Sequence, residues 1–447
     1  MTTQLPPGPK GRAIRHFWAR LHNNADFFAR LQAEYGGIVY LSVPFRKLCV
    51  IFDPVLIQQA LVEKRASFEQ GPGYKRATFL GGPTVLTSDG DEHKRRRKLV
   101  QPSFHKQALN GYAETMIDET DKLQRGWRDG QTIDLVQTTT ATALNIATRT
   151  FFGADSRIDP GLVGEALKGV FWDFTLGQLP FNRYLARLPL PRNRQAQAAF
   201  RALDHEIDAI IDQALDASQE RNDLISHLVR AKDEGGVDRS LNRAEVRDEA
   251  YVILMAGHET TANVMAWMFY CLDQHPAVRE RLEREIDGVL GGRRPGLADY
   301  DRLVYARAVF DETVRLFPPV YYVGRQAIED STLGDYLIPK GTALQPCLLA
   351  GLRDERFFEE AGGFKPERWL EENDHPKLAL SAFGLGVHKC VGEAFARMEA
   401  VFMLAAIVPR WRLNVVSSHP PVVNSLVFYQ FPRGFQMTVR ARAATAP

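Results

Sequence analysis

Apolar side chains recur along this chain mainly at the three-to-four-residue period of amphipathic helices. The period is sustained from Gln107 to Arg128, Arg192 to Ser218, Glu245 to Leu272, Ala277 to Val289 and Leu303 to Leu316, and several of these stretches end at Gly or Pro. Further helices are expected over Leu162–Gln178 and Glu393–Leu404. The alternation of half-buried strands is confined to short stretches: Ile38 to Phe52, a hairpin with Pro44-Phe45-Arg46-Lys47 at its turn, then Thr332 to Leu344 and Phe428 to Arg440. The pattern predicts a mainly α protein with small peripheral β-sheets, of the α+β class. No repeat, low-complexity tract or long linker interrupts it. Residues 1–447 read as a single domain with a smaller β-rich part, about 36–65 and 320–345 plus the C-terminal hairpin, and a larger helical part elsewhere. The Gly- and aromatic-rich stretch from Phe68 to Asp91 follows neither period and reads as a binding loop.

Composition narrows the class. With 45% hydrophobic and 25% charged residues the chain can bury a large core, and a formal net charge of +2 argues against a bulk nucleic-acid binder. Cys49, Cys271, Cys347 and Cys390 are too scattered for a disulfide framework or an iron–sulfur quartet, which suits a reducing compartment. The opening Leu5-Pro6-Pro7-Gly8-Pro9 follows no apolar leader, and no run reaches the roughly 18 apolar residues of a membrane span. A soluble, cytoplasmic protein without a membrane anchor is expected.

Cys390 stands apart from the other cysteines. In Phe383-Gly384-Leu385-Gly386-Val387-His388-Lys389-Cys390-Val391-Gly392 it is framed by three glycines and two basic residues. Glycines allow positive φ and let backbone amides turn toward one sulfur, while the positive end of the following helix favours thiolate over thiol. A stabilised thiolate is a metal ligand. A second oddity is Met255-Ala256-Gly257-His258-Glu259-Thr260-Thr261 inside a long apolar helix, where Gly, Thr and an acid all cost helix propensity. Thr hydroxyls can bond the carbonyl four residues back, and Ala256 and Thr260 share a face that leaves room for a flat group beside a hydroxyl. His258-Glu259 also opens the zinc-helix motif, but Ala262 stands where its second His must be. Glu312 and Arg315, at i, i+3, can pair. In Asp89–Leu99, acidic residues precede a basic run in which His93 and Arg97 share one face and Lys94, Arg95 and Lys98 point elsewhere.

These windows, in this order, resemble the cytochrome P450 family across essentially the whole chain. The Cys390 run fills the family's haem-ligating pattern of Phe, two residues, Gly, one residue, Arg or His, one residue, Cys, one residue, Gly. The resemblance implies the cytochrome P450 fold and a b-type haem (iron protoporphyrin IX) with Cys390 as the metal ligand. Phe383 and Gly384 would shape the haem loop and Ala256 would approach the macrocycle. The haem propionates are assigned to His93, Arg97, His388 and Arg325, the last from Tyr321-Tyr322-Val323-Gly324-Arg325. The Ala256–Thr261 window is similar to the family's oxygen-activating helix, in which Thr260 presents its hydroxyl to the dioxygen being activated and Glu259 relays protons. Glu312, Arg315 and Arg368, the last from Phe364-Lys365-Pro366-Glu367-Arg368-Trp369, match the family's buried structural triad. Ala382 stands where proline is usual and Asp335 where glycine is common, departures that bear on subfamily and not on chemistry.

The implied activity is that of a haem-thiolate monooxygenase, using O2 and two external electrons to hydroxylate or epoxidise a small or medium hydrophobic substrate. Terpenoids, fatty acids, steroids and polyketide-like molecules all suit the apolar candidate wall residues Phe79, Val85, Phe171, Phe174, Val252, Met255, Val320, Val323 and Val427. Electrons are expected from NAD(P)H through partner proteins, a ferredoxin with its reductase or a flavodoxin-type donor. These would dock on a basic proximal face built from Lys94, Arg95, Lys98, Lys389 and Arg397, with the chain acting as a monomer. Alternatives from other classes are a haem-thiolate peroxygenase or isomerase and a non-catalytic haem sensor. The peroxide-using branch replaces the acid–alcohol pair with Arg and Pro, the rearranging branches tend to lose the threonine, and a sensor has no need of Glu259-Thr260.

Overall fold

The computed structural model describes residues 4–9, 24–43, 46–75, 82–153, 158–159, 161–166, 168–169, 190–216, 222–231, 240–370, 381–417, 419–423, 425 and 428–442. In chain order the helices are α1 (Asn24–Tyr35), α2 (Pro54–Gln58), α3 (Gly90–Val100), α4 (Lys106–Gln124), α5 (Leu135–Phe152), α6 (Pro191–Asp216), α7 (Leu224–Arg230), α8 (Arg243–Gln274), α9 (Pro276–Leu290), α10 (Val304–Leu316), α11 (Leu348–Leu352) and α12 (Glu393–Ile407). The strands are β1 (Ile38–Val43), β2 (Arg46–Ile51), β3 (Phe68–Gln70), β4 (Thr132–Asp134), β5 (Arg325–Ala327), β6 (Ser331–Leu333), β7 (Tyr336–Ile338), β8 (Ala343–Pro346), β9 (Trp411–Val415) and β10 (Gln436–Ala441). Two compact units emerge: a helical one, residues 77–310, 391–420 and 433–447, and a β-rich one, residues 1–76, 311–390 and 421–432. Among the described residues no helix is long and apolar enough to cross a membrane.

In the helical unit α8 is the central element. It opens with a capping box, in which the Asn242 side chain accepts from Glu245 N (3.1 Å) and Glu245 accepts from Asn242 N (2.9 Å). Buried residues then occupy most of its circumference, and α5 packs so close that a Cβ on Gly257 would stand 3.2 Å from Phe151. Helix α5 was not foreseen, because Thr138-Thr139-Thr140 and Thr142 favour strands. It holds because Asp134 caps Gln137 N (2.9 Å) and one side is buried through Leu135, Ala143, Ile146, Ala147, Phe151 and Phe152, while the Thr142 and Thr150 hydroxyls satisfy themselves on the Thr138 and Ile146 carbonyls (2.9 and 2.8 Å). Phe395 of α12 joins α4 and α5 through rings at 6.0 Å from Tyr112 and 5.2 Å from Phe151. One turn later Glu399 is fully buried, and burial pushes its carboxyl well above the usual range.

Three expectations about the edges of elements are corrected. Arg46 and Lys47 are not turn residues; they already pair with Val43 and Ser42 in the hairpin ladder. The stretch from Phe68 begins as strand β3, paired with β5, and continues as a helical turn at Pro72–Lys75. The strand expected over Phe428–Arg440 starts only at Gln436, since Pro432 has no N–H and Gly434 turns the chain at φ +77. Strand β10 then pairs with β9 and β4, so it belongs to the helical unit and forms no hairpin beside the β-rich one. Of the helix expected over Leu162–Gln178, residues 161–166 and 168–169 are helical; Phe171 and Phe174 lie outside the described residues, as do Phe79 and Val427.

The β-rich unit is built on a five-stranded sheet of order β1-β2-β8-β5-β3. Strand β8 runs parallel to β2, and the other neighbours are antiparallel. Ile38, Ile51, Ile57, Leu61, Phe68 and Leu344 form its core, against which Val323 and Leu385 also pack. The same unit buries a carboxylate. Glu312, at the end of α10, is wholly inaccessible and accepts from Arg315 Nε and Nη2 (both 2.8 Å), Arg368 Nε (3.1 Å), Lys365 N (2.8 Å) and Trp369 Nε1 (2.9 Å). Arg315, equally buried, spends its other N–H groups on the carbonyls of Leu352, Ala361 and Gly363. Desolvating these charges costs several kcal/mol per ion, so the network gains little over an apolar core, but losing one partner strands the rest. Glu312→Ala should therefore cost about 4 kcal/mol and leave the protein insoluble or unable to keep haem. Trp369→Phe, which deletes one bond to a charged acceptor, should cost about 2 kcal/mol and stay soluble. Denaturant unfolding measures both, and equal small losses would show that the network does not hold this unit together.

Candidate functional site

The cysteine loop is set by its glycines. Gly384 and Gly386 adopt φ +77 and +70, conformations that side chains disfavour. A Cβ on Gly386 would lie 2.5 Å from the Leu61 carbonyl oxygen, so the loop can approach the helical turn at Gln59–Glu63 only without a side chain there. Cys390 N donates to Phe383 O at 2.8 Å and Lys389 N to Gly386 O at 3.1 Å, which closes the backbone into a tight arch. Cys390 is exposed, whereas Cys49, Cys271 and Cys347 are buried. Burial drives the Cys49 and Cys347 thiols upward, the latter to about 12, so neither is a thiolate at neutral pH.

Next to this loop two predicted cofactor residues meet through a third that sequence reading missed. Gln70 lies opposite Arg325 in the β3–β5 pairing. Its Oε1 accepts from Arg325 Nη1 at 2.7 Å, and its Nε2 lies 3.2 Å from His388 Nδ1. With the amide oxygen taken by the guanidinium, Nε2 is the donor, so Nδ1 accepts and the His388 proton sits on its own Nε2. Arg325 is 7% exposed, and Nη1 also donates to Gly324 O at 2.8 Å. A buried guanidinium and an imidazole N–H in one cluster suit an anionic group taken out of water.

The helical unit supplies the other predicted residues. His93 and Arg97 stand one turn apart on α3, the first buried and the second half-buried. In α8 the sequence Met255–Thr260 forms a window in an otherwise buried helix: Ala256 is exposed, and Met255, Glu259 and Thr260 are partly so. The Thr260 hydroxyl donates to Ala256 O at 2.6 Å and that of Thr261 to Gly257 O at 3.0 Å, leaving the Thr260 oxygen lone pairs to accept. Burial raises the Glu259 carboxyl to about 7, partly opposed by Arg433, whose Nη2 lies 4.0 Å from Oε1; Oε2 has no hydrogen-bond partner among the described residues. Glu259 is thus an acid that holds and yields a proton near neutrality. Burial pushes His258 down to about 4, so it is neutral.

The remaining candidates divide. Val252 is buried on α8, Val85 and Val320 are half-buried, and Val323 packs against the β-sheet core. The basic run on α3 is not the outward stripe expected. Lys94 and Lys98 are exposed, but Arg95 turns inward to Glu92 (2.9 Å) and Glu245 (2.6 Å). Arg96, 2% exposed, reaches Glu245 (2.7 Å) and Glu249 (3.0 Å). Acidic residues on α8, some 150 positions away, draw both arginines in, a pairing that no local period reveals. Arg397 pairs with Glu393 at 3.3 Å, while Lys389 is exposed.

The residues present fit haem: in the β-rich unit an exposed cysteine on a glycine arch and a buried guanidinium for a carboxylate, and in the helical unit an exposed alanine beside a hydroxyl in the middle of a long helix. The comparisons with known proteins agree. The Cytochrome P450 family model matches residues 6–439. A cyclooctat-9-en-7-ol 5-monooxygenase of Streptomyces melanosporofaciens is 31% identical over 93% of this chain and 90% of its own. The cyclooctatin synthase of the same organism is 34% identical over 88% and 86%, and a pentalenene oxygenase of Streptomyces avermitilis 29% over 96% and 95%. The crystal structure of the cytochrome P450DA heme domain superposes with a TM-score of 0.88 over 99% of this chain and 98% of that one, at 24% identity, a likeness of fold. A family match that spans nearly every residue leaves one reading: the chain belongs to the cytochrome P450 family and is a haem-dependent oxidoreductase of the monooxygenase type.

Proposed function

We propose that this enzyme hydroxylates a terpenoid hydrocarbon or terpenoid alcohol, converting R–H, O2, two electrons and two protons into R–OH and water. The observation that carries the substrate class is the full-length similarity to a cyclooctat-9-en-7-ol 5-monooxygenase and a pentalenene oxygenase. When bound, haem supplies the one-electron and O2 chemistry that no side chain can. Cys390 would hold its iron, Arg325 and Arg97 would balance its carboxylates, and His388 and His93 would add ring-nitrogen hydrogen bonds to them. Ala256 leaves space beside α8, while Val85, Val252 and Met255 offer an apolar surface that orients the substrate and sheds water. Two protons must arrive where O2 is reduced. Glu259 holds one on its carboxyl near neutral pH, and the Thr260 oxygen, whose own proton goes to Ala256 O, keeps lone pairs that can accept another.

Electrons would come from NAD(P)H through a ferredoxin and its reductase. Lys94, Lys98 and Lys389 are exposed cations suited to an acidic carrier. The test is product formation from a sesquiterpene and a diterpene panel with surrogate ferredoxin and reductase, measured against NADPH consumed; absence of oxygenated product from every member would contradict the substrate class.

Two outcomes are specific to this chain. Because the Glu259 carboxyl is raised to about 7 and acts when protonated, coupled turnover should fall as pH climbs through 7. Glu259→Gln should lower it about 100-fold and flatten the profile; an unchanged profile in that variant would remove Glu259 from the proton path. Charge reversal at Lys98 or Lys389 should raise the KM for ferredoxin severalfold at low salt, with the difference vanishing at high ionic strength. A salt-independent effect would place docking elsewhere.

A further inference from the structure

The acid cluster of the helical unit has a use beyond neutralising arginines. Glu249 of α8 is fully buried, and both of its oxygens accept from one backbone donor, Val85 N, at 2.9 and 3.1 Å. Its Oε1 also accepts from Arg96 Nη1 at 3.0 Å. Arg96 is itself held by Glu92 and Glu245, and Glu245 is held by Arg95. The neighbouring Asp248 lies against the same segment, since a Cβ on Gly82 would stand 3.4 Å from Asp248 Oδ2.

The segment so held is a preformed turn. Thr87 N and Ser88 N donate to Thr84 O at 3.1 and 2.9 Å, and Thr84 N donates to Thr87 Oγ1 at 2.9 Å. Val85 is the second residue of that turn, its side chain half-buried. Position along α8 gives the contact its meaning. Residues 249, 256 and 260 are separated by seven and four positions and fall on one stripe of a 3.6-residue helix. Val85 is thereby tethered on the stripe that presents Ala256 and Thr260, about 10 Å along the axis from Ala256 at 1.5 Å per residue. That distance is of the order of a small terpenoid's length.

Resting on the function proposed above, we infer that Glu249 is a specificity-determining positioning residue: with Arg96 behind it, it latches the Thr84–Ser88 turn over the Ala256–Thr260 stripe and so holds in place a wall against which a large apolar ligand packs. It touches no reacting atom. Removing the latch should loosen one wall of the cavity while leaving the iron-ligating loop alone.

The test compares wild type with Glu249→Ala, Glu249→Gln and Val85→Pro, all haem-loaded. Proline removes the donated N–H at a turn position that suits it and leaves the Glu249–Arg96 pair intact; Val85→Ala controls for the side chain. Spectral titration with two azoles reads the wall. Imidazole needs only the iron, whereas clotrimazole needs the wall in place. Clotrimazole should bind about tenfold more weakly to Glu249→Ala and to Val85→Pro, no worse to the double variant, and nearly normally to Glu249→Gln, with imidazole unchanged throughout. Hydrogen exchange of the 82–88 amides should accelerate about tenfold in Glu249→Ala, with or without azole. Equal weakening of both azoles, or exchange and clotrimazole affinity both within twofold of wild type, would overturn the latch. A wild type with no azole spectrum would instead refute the haem reading, and the exchange arm would still decide the latch. Should Glu249→Ala not fold, Val85→Pro decides.

Discussion

A cysteine can serve an external metal only if its sulfur stays open while the backbone on either side of it is held. In this chain that demand falls on one short arch. Gly384 and Gly386 take positive φ, Cys390 N is tied to Phe383 O, and Gly386 is pressed against Leu61 O at a distance that admits no Cβ. Leu61 belongs to the core of the five-stranded sheet, and Leu385 packs on that same core. The sheet thus fixes the arch, and the arch leaves the thiol exposed. Pairing of β3 with β5 brings Gln70 and Arg325 opposite each other, and Gln70 carries the link on to His388.

Charge in this protein is directed inward more than its sequence suggests. The run Lys94-Arg95-Arg96-Arg97-Lys98 points to a basic surface, yet Arg95 and Arg96 are consumed by Glu92, Glu245 and Glu249. Glu312 and Arg315 form a second buried cluster in the other unit. Such clusters add little net stability, but a buried ion tolerates few geometries, so they fix where backbone segments lie. Burial also pushes Glu249, opposed by Val85 N and Arg96, and Glu259, opposed by Arg433, up to about 7. Along one helix, then, desolvation acts on one acid that holds a turn and on another whose carboxyl titrates near neutrality.

Elements with a strong apolar period were legible from sequence, and so were residues whose chemistry is local. Helices α6, α8, α9 and α10 start and end within two residues of their expected bounds, because α6, α9 and α10 each carry an apolar face, α8 is apolar around most of its circumference, and Asn242, Pro191, Pro276 and Gly291 mark their limits. The Cys390 arch was legible because glycine is the signal itself. Helix α5 was not, since a run of threonines favours strands until tertiary burial overrides the preference. Gln70 and Glu249 were missed for another reason. Each acts through a partner far off in sequence, 318 residues for Gln70 and His388 and 164 for Glu249 and Val85, and no periodicity encodes such a meeting.

The claim on which all of this rests is that the sulfur of Cys390 binds the haem iron, and its most direct test is the absorption of the reduced, carbon monoxide-bound holoprotein. Thiolate coordination predicts a strongly red-shifted Soret band in the wild type that is lost in Cys390→Ser, with Cys347→Ser, whose thiol is buried and protonated, retaining it. A wild-type spectrum without that band, or a Cys390→Ser spectrum that keeps it, would contradict the account.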